Sequence, residues 1–198
     1  MLSDRVRLER LLMVAALGLG VGLAVAQLVG LTPLAFDAAA YYSATPGDLY
    51  RDGWYFVGHQ RAAYLYSPAF ADALIPLRIL PERVFTALWQ LGLVAALVVT
   101  IRGWAVLVLL VGFIGVTLDI PLVTIPVADI AHGNIHVLLG AVAVFGLRYP
   151  ALWSFALLSK ITPGIALIWF VARREWRSLA IGLAVTTTLI ATLADSFQ

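Results

Sequence analysis

Most of the polar chemistry lies between Leu31 and Pro68, in LTPLAFDAAAYYSATPGDLYRDGWYFVGHQRAAYLYSP. Asp37, Asp48, Asp52, Arg51, His59 and Arg61 alternate there with Tyr41, Tyr42, Tyr50, Trp54, Tyr55, Tyr64 and Tyr66. Carboxylates and guanidinium groups bond hydroxyls and phosphates, while aromatic faces stack on sugar C–H faces. The pattern suits a carbohydrate or lipid-headgroup surface; a Trp/Tyr belt at a membrane edge draws on the same residues. Asp37 is the candidate base, with the N-cap of a helix over Ala38–Tyr42 as its alternative role.

Two further places carry chemistry. Lys160, the one lysine in the chain, is flanked by eleven and twelve uncharged residues. Such a charge costs about 2.5–3.5 kcal/mol on insertion scales, so a bound partner such as a phosphate is the usual reason to keep it. The alternative is a side chain that reaches interfacial water. The third place is Asp129-Ile130-Ala131-His132-Gly133-Asn134-Ile135-His136. If helical, it puts His132 and His136 on one face. Two His with Asp119 or Asp129 are metal-ligand types, yet spacing fixes no third ligand, so no metal is assigned. Asn134 either caps a following helix or bonds a sugar hydroxyl. No glycine-rich phosphate loop is present, and no cofactor is expected.

These residues must be positioned by elements that are overwhelmingly apolar. Of 198 residues, 62% are hydrophobic and 12% charged, which excludes both a soluble globular domain and disorder. The net charge of +2 is too small to argue for nucleic acid. Without cysteine, disulfides, thiolate metal sites and Cys nucleophiles are excluded. A membrane-spanning helix needs about 20 apolar residues. Leu11–Leu31, Val84–Ile101, Gly103–Leu118 (resuming through Val127), Gly133–Leu147, Tyr149–Ala172 and Ser178–Ala194 are the expected apolar helices. The reading is an all-α polytopic membrane protein with a polar first extracytoplasmic loop. Ala24-Val25-Ala26 resembles a signal cleavage site, but the apolar stretch runs past it, which favours a retained helix. Ser67 with Pro68 predicts the start of a short helix before Pro76.

The positive-inside rule sets the expected orientation. Arg5, Arg7 and Arg10 put the N-terminus in the cytoplasm, and the polar loop then lies outside. A single span over Tyr149–Ala172 would send Arg173, Arg174 and Arg177 outside, against the rule. Two half-length helices, Tyr149–Ser159 and Pro163–Ala172, avoid this, because Pro163 disfavours helical geometry at Thr162. Lys160 would then lie at the bottom of an outward-facing cavity, since broken helices at such depth occur where they line one.

The set resembles glycosyltransferase family 87, membrane mannosyltransferases of the GT-C superfamily. Four elements carry the resemblance: Phe36-Asp37 with Tyr41-Tyr42; Asp48-Leu49-Tyr50; Tyr64-Leu65-Tyr66-Ser67-Pro68 leading to Ile75-Pro76-Leu77; and Gly133-Asn134 followed by Lys160-Ile161-Thr162-Pro163 and Arg173-Arg174-Glu175-Trp176-Arg177. The family commonly shows Gly-Gln-x-Asn where this chain has His132-Gly133-Asn134. The resemblance implies a GT-C-like helical bundle. It also implies transfer of a sugar, mannose in the family, from a polyprenyl-phosphate donor to a lipid-linked or glycan acceptor. The reaction side is extracytoplasmic, at the cell membrane. Members run to roughly twice this length, so residues 1–198 are expected to be a single membrane domain, the N-terminal part of a longer transferase, and a truncated chain of this kind is expected to be inactive as it stands. About six to seven membrane helices are expected, with a broken pair over residues 149–172.

A polyprenyl phosphate is already a good leaving group, so such a donor needs one base and charge stabilisation, and direct displacement inverts the anomeric carbon. Asp37 is expected as the base and Lys160 as the phosphate ligand, with Arg51 or Arg61 assisting. His59, Tyr41, Tyr42, Tyr66, His132 and Asn134 complete the expected substrate-binding set. The partners are the donor, the acceptor and membrane lipids, with no nucleic acid. The rivals are a transporter, which should place ionisable residues inside its spans and show an internal repeat, and a non-catalytic membrane subunit.

Overall fold

A computed structural model of the chain describes residues 2–44, 49, 64–160, 164–165 and 167–193. Every element among them is helical: α1 (Leu2–Leu28), α2 (Phe36–Ser43), α3 (Pro68–Ala73), α4 (Glu82–Ile101), α5 (Trp104–Thr117), α6 (Pro121–His132), α7 (His136–Phe145), α8 (Trp153–Ser159), α9 (Leu167–Ala172) and α10 (Trp176–Leu193). Single 3₁₀ turns cover Ile75–Leu77 and Pro150–Leu152. Among the described residues, three helices are long and apolar enough to cross a membrane: Ser3–Leu28 within α1, α4 and α10. The all-α membrane architecture expected from composition is therefore observed. The chain divides into two compact units, residues 1–39 with 80–138, and residues 40–79 with 139–198.

The first unit is built on α1 against α4, with α5 packed on both α1 and α6. Apolar side chains gain little by leaving lipid for protein, so helices in a bilayer associate through close packing and interhelical hydrogen bonds. α1 supplies the close approach with Ala16, Gly20 and Ala24, all buried and spaced four apart. A Cβ on Gly20 would stand 2.8 Å from Cγ1 of Val94 on α4, so nothing larger fits without separating the helices. Leu93, Val94, Val98, Ala105, Val106, Leu109 and Ile130 fill the core around Ala16. Leu11, Val14, Val21 and Val25 stay exposed, as a lipid-facing side requires. Arg83 Nη1 donates to the Gln27 carbonyl at 3.1 Å and ties the end of α1 to the start of α4. At the opposite end, Arg102 ion-pairs with Glu9, and that bond holds the guanidinium further above its ordinary value.

Within the second unit, α10 packs on the 150–152 turn, α8, α9 and α3. Val142, Trp153, Ala156 and Phe170 form its core, with Trp153 meeting Phe170 edge to face at 6.3 Å. α3 starts as predicted: Ser67 is its N-cap, accepting from the Phe70 N–H at 3.3 Å, with Pro68 at the first position. After α3, Arg78 donates to the Ala71 carbonyl at 3.0 Å. Burial pulls the Arg78 guanidinium below its ordinary value, while Asp72 and Tyr64 pull it back up.

Several helix limits differ from the expected ones. α1 begins at Leu2, so it includes the basic residues that were read as a flank. The stretch expected to resume from Leu118 through Val127 breaks at Asp119, which sits at φ 54, and α6 restarts with Pro121 at its first position. α7 has 10 residues, about 15 Å of helix, half of a hydrocarbon core of about 30 Å. α8 stops at Ser159, where Lys160 turns to extended backbone at φ −138 and ψ 127.

Candidate functional site

In the first unit, α6 ends at Gly133, held at φ 77 and ψ 26 in the left-handed region that favours glycine. The Gly133 and Asn134 N–H groups donate to the carbonyls of Ile130, at 3.1 Å, and Asp129, at 2.7 Å, which closes a Schellman turn. Glycine is needed here for space as well, since a Cβ would lie 2.6 Å from the Ala38 Cβ and 3.1 Å from the Ala38 nitrogen on α2. Two side chains of α4 brace the turn: Trp89 Nε1 donates to the Gly133 carbonyl at 2.7 Å, and Gln90 Nε2 to the Ala131 carbonyl at 2.8 Å.

That turn delivers Asn134 to Asp37. Asn134 Nδ2 donates to Asp37 Oδ2 at 2.9 Å across 97 residues of sequence. Asn134 Oδ1 accepts from the His136 N–H at 3.2 Å and so caps α7. One side chain therefore fixes both the next helix and the orientation of a half-buried carboxylate. The cap alternative for Asp37 does not hold, because α2 begins at Phe36 and Asp37 lies inside its first turn. The bond to Asn134 engages Oδ2 of the carboxylate. The expectation that His132 and His136 share one helical face is corrected: Gly133 ends α6 after His132, and His136 begins α7. His136 Nδ1 instead faces Asp129 at 3.3 Å. No cluster of three or more His, Asp or Glu is placed to hold a metal ion among the described residues.

The second unit holds Lys160 against an aromatic cluster. Its ammonium sits 5.2 Å from the Tyr66 ring centroid. Tyr66 meets Tyr41 edge to face at 5.0 Å and accepts the Tyr41 hydroxyl hydrogen at 2.9 Å. Tyr41 is 0% and Tyr66 6% exposed, so neither ring offers an open face for stacking on a sugar. Tyr66 packs its ring against the Lys160 ammonium, and Tyr41 packs against Tyr66 in turn. Tyr64 donates to the Ser67 carbonyl at 2.7 Å, and the Ser67 hydroxyl donates to the Leu158 carbonyl. These bonds hold the Tyr66 loop onto the last turn of α8, one step before Lys160. A cation over a π face is stabilised by about 0.5–2 kcal/mol.

The expected residues thus fall into separate groups. Asp37 and Asn134 are bonded in the first unit; Lys160, Tyr66 and Tyr41 are in contact in the second. Tyr42 lies half-buried on α2, and His132 is exposed on the last turn of α6. Asp48, Arg51, Asp52, His59 and Arg61 lie outside the described residues. Trp89 and Gln90, which brace the Gly133 turn, were not singled out from sequence. The signal available was a Trp-Gln pair inside an otherwise apolar span, since polar groups in a membrane helix find protein partners.

No curated protein and no solved structure matches the chain. One family does: glycosyltransferase family 87 matches residues 64–197, which include Tyr66, Asn134 and Lys160 and begin after Asp37. That match spans more than half of a chain whose described residues are helical, with three candidate membrane spans among them, and the chain belongs to glycosyltransferase family 87, a family of membrane glycosyltransferases.

Proposed function

We propose that the protein transfers a hexosyl group, mannose, from a polyprenyl-phosphate donor to a lipid-linked or glycan acceptor on the extracytoplasmic side of the cell membrane. Asp37 takes the proton of the acceptor hydroxyl as that hydroxyl's oxygen attacks the anomeric carbon. The bond from that carbon to the phosphate oxygen breaks, the phosphate leaves as an anion, and the anomeric configuration inverts. Lys160 pairs with the departing phosphate charge. The GT-C-like bundle and the cytoplasmic N-terminus belong to this same reading.

The observation that carries it is the hydrogen bond from Asn134 to Asp37. A carboxylate oriented by a side-chain amide, which itself sits on a turn braced from α4 by Trp89 and Gln90, supports that reading. The Lys160–Tyr66 pair adds a cation over a ring that Tyr41 packs against. Asp37→Asn tests the base, because Asn preserves shape and cannot take the proton. The variant should bind polyprenyl-phosphate mannose normally and lose transfer by about 10²-fold or more. Turnover near that of the unaltered protein removes Asp37 from the chemistry.

A further inference from the structure

The early turns of α1 present two different sides. Glu9 faces α4 and is ion-paired with Arg102. On another side, Ser3, Val6, Arg7, Arg10, Leu11 and Val14 line a shallow, open groove along one face of α1. Residues three and four apart share a helix face, so Arg7, Arg10 and Val14 stand in one row, about 10 Å from first to last. The cationic end of the row lies toward the N-terminus and the apolar end deeper in a candidate span. Among the described residues, neither Arg7 nor Arg10 has a hydrogen-bond or ion-pair partner. Asp4, one turn earlier, is not part of the lining.

A groove that begins with two unpaired guanidinium groups and continues with Leu and Val matches one membrane component end to end. We infer that this side of α1 holds an anionic glycerophospholipid, its phosphate between Arg7 and Arg10 and an acyl chain along Leu11 and Val14. Guanidinium forks take phosphate oxygens in paired hydrogen bonds. A zwitterionic headgroup brings its own cation and gains less there, and free phosphate leaves the apolar half of the groove unused. Neither Asp37 nor Lys160 lines this site, and it does not depend on the proposed reaction.

The test is native mass spectrometry of the detergent-solubilised protein with phosphatidylglycerol and phosphatidylcholine as probes. Phosphatidylglycerol should be retained on the unaltered protein roughly thirtyfold more strongly, the scale for two arginines beside an anionic lipid. Arg7→Gln and Arg10→Gln should each cut that preference. Arg5→Gln changes net charge equally but lies outside the lining, so it should keep the preference. Val14→Trp fills the apolar end and should lower retention with both arginines present. Equal retention of the two lipids, equal loss with Arg5→Gln, or displacement by inorganic phosphate would each overturn the assignment.

Discussion

Gly133→Ala probes the turn that holds Asn134 to Asp37. The new methyl group meets two obstacles of different kind. Backbone at φ 77 and ψ 26 costs an alanine about 1–2 kcal/mol. Its Cβ also lands 2.6 Å from the Ala38 Cβ, 3.1 Å from the Ala38 nitrogen and 3.3 Å from Trp89 Cδ1, and overpacking of this kind costs about 1–3 kcal/mol. The sum is about 2–5 kcal/mol of lost stability. The steric part can be separated from the backbone part. Ala38→Gly removes the nearest atom and by itself costs about 0.5–1 kcal/mol in a helix. The double variant should therefore be more stable than the sum of the two singles by about 1–2 kcal/mol, a coupling expected only of residues in contact. Unfolding in detergent micelles, followed by tryptophan fluorescence, measures all three variants. Transfer activity should fall in Gly133→Ala and return in part in the double variant, because the clash displaces the turn of α2 that carries Asp37. A Gly133→Ala protein within about 0.5 kcal/mol of the unaltered one, or no coupling between positions 38 and 133, would refute the packing argument.

Three other outcomes are expected. Asn134→Asp keeps the cap on His136 but places a second carboxylate against Asp37; it should lose stability, and added salt should recover part of the loss by screening the repulsion, as unfolding at low and high salt will reveal. Lys160→Met should insert normally and weaken donor binding roughly 10- to 100-fold, the scale of a lost charge-assisted hydrogen bond, and unchanged binding of polyprenyl-phosphate mannose would remove that role. Arg174→Cys, in this cysteine-free chain, should resist membrane-impermeant thiol reagents added outside; labelling from outside would contradict the proposed orientation.

The fold was legible where one physical signal dominated. α4 needed only length and apolar content, and Ser67-Pro68 marked the start of α3 through cap and proline chemistry alone. The stop of α8 at Ser159 follows from the proline three residues beyond Lys160. The break at Asp119 carries the same cue, Pro121 two residues on, but the apolar character that resumes through Val127 hides it. The extension of α1 to Leu2 was missed because charged residues there were read as a flank, whereas long arginine side chains reach water from a continuing helix. Asp37 and Asn134 could each be singled out by type, but their bond spans 97 residues and depends on α2 meeting the α6–α7 turn. Tyr41 and Tyr66 read as exposed sugar-stacking rings, and only packing shows them buried beneath Lys160.

The most direct measurement incubates membranes bearing the protein with labelled polyprenyl-phosphate mannose, or with labelled nucleotide-linked mannose, and a lipid-linked acceptor. The glycosidic product is then isolated and the configuration of its new bond determined. Label should pass to acceptor from the polyprenyl phosphate alone, with inversion at the anomeric carbon. Transfer from the nucleotide sugar without the lipid donor, or a product with retained configuration, would contradict a single displacement driven by one carboxylate.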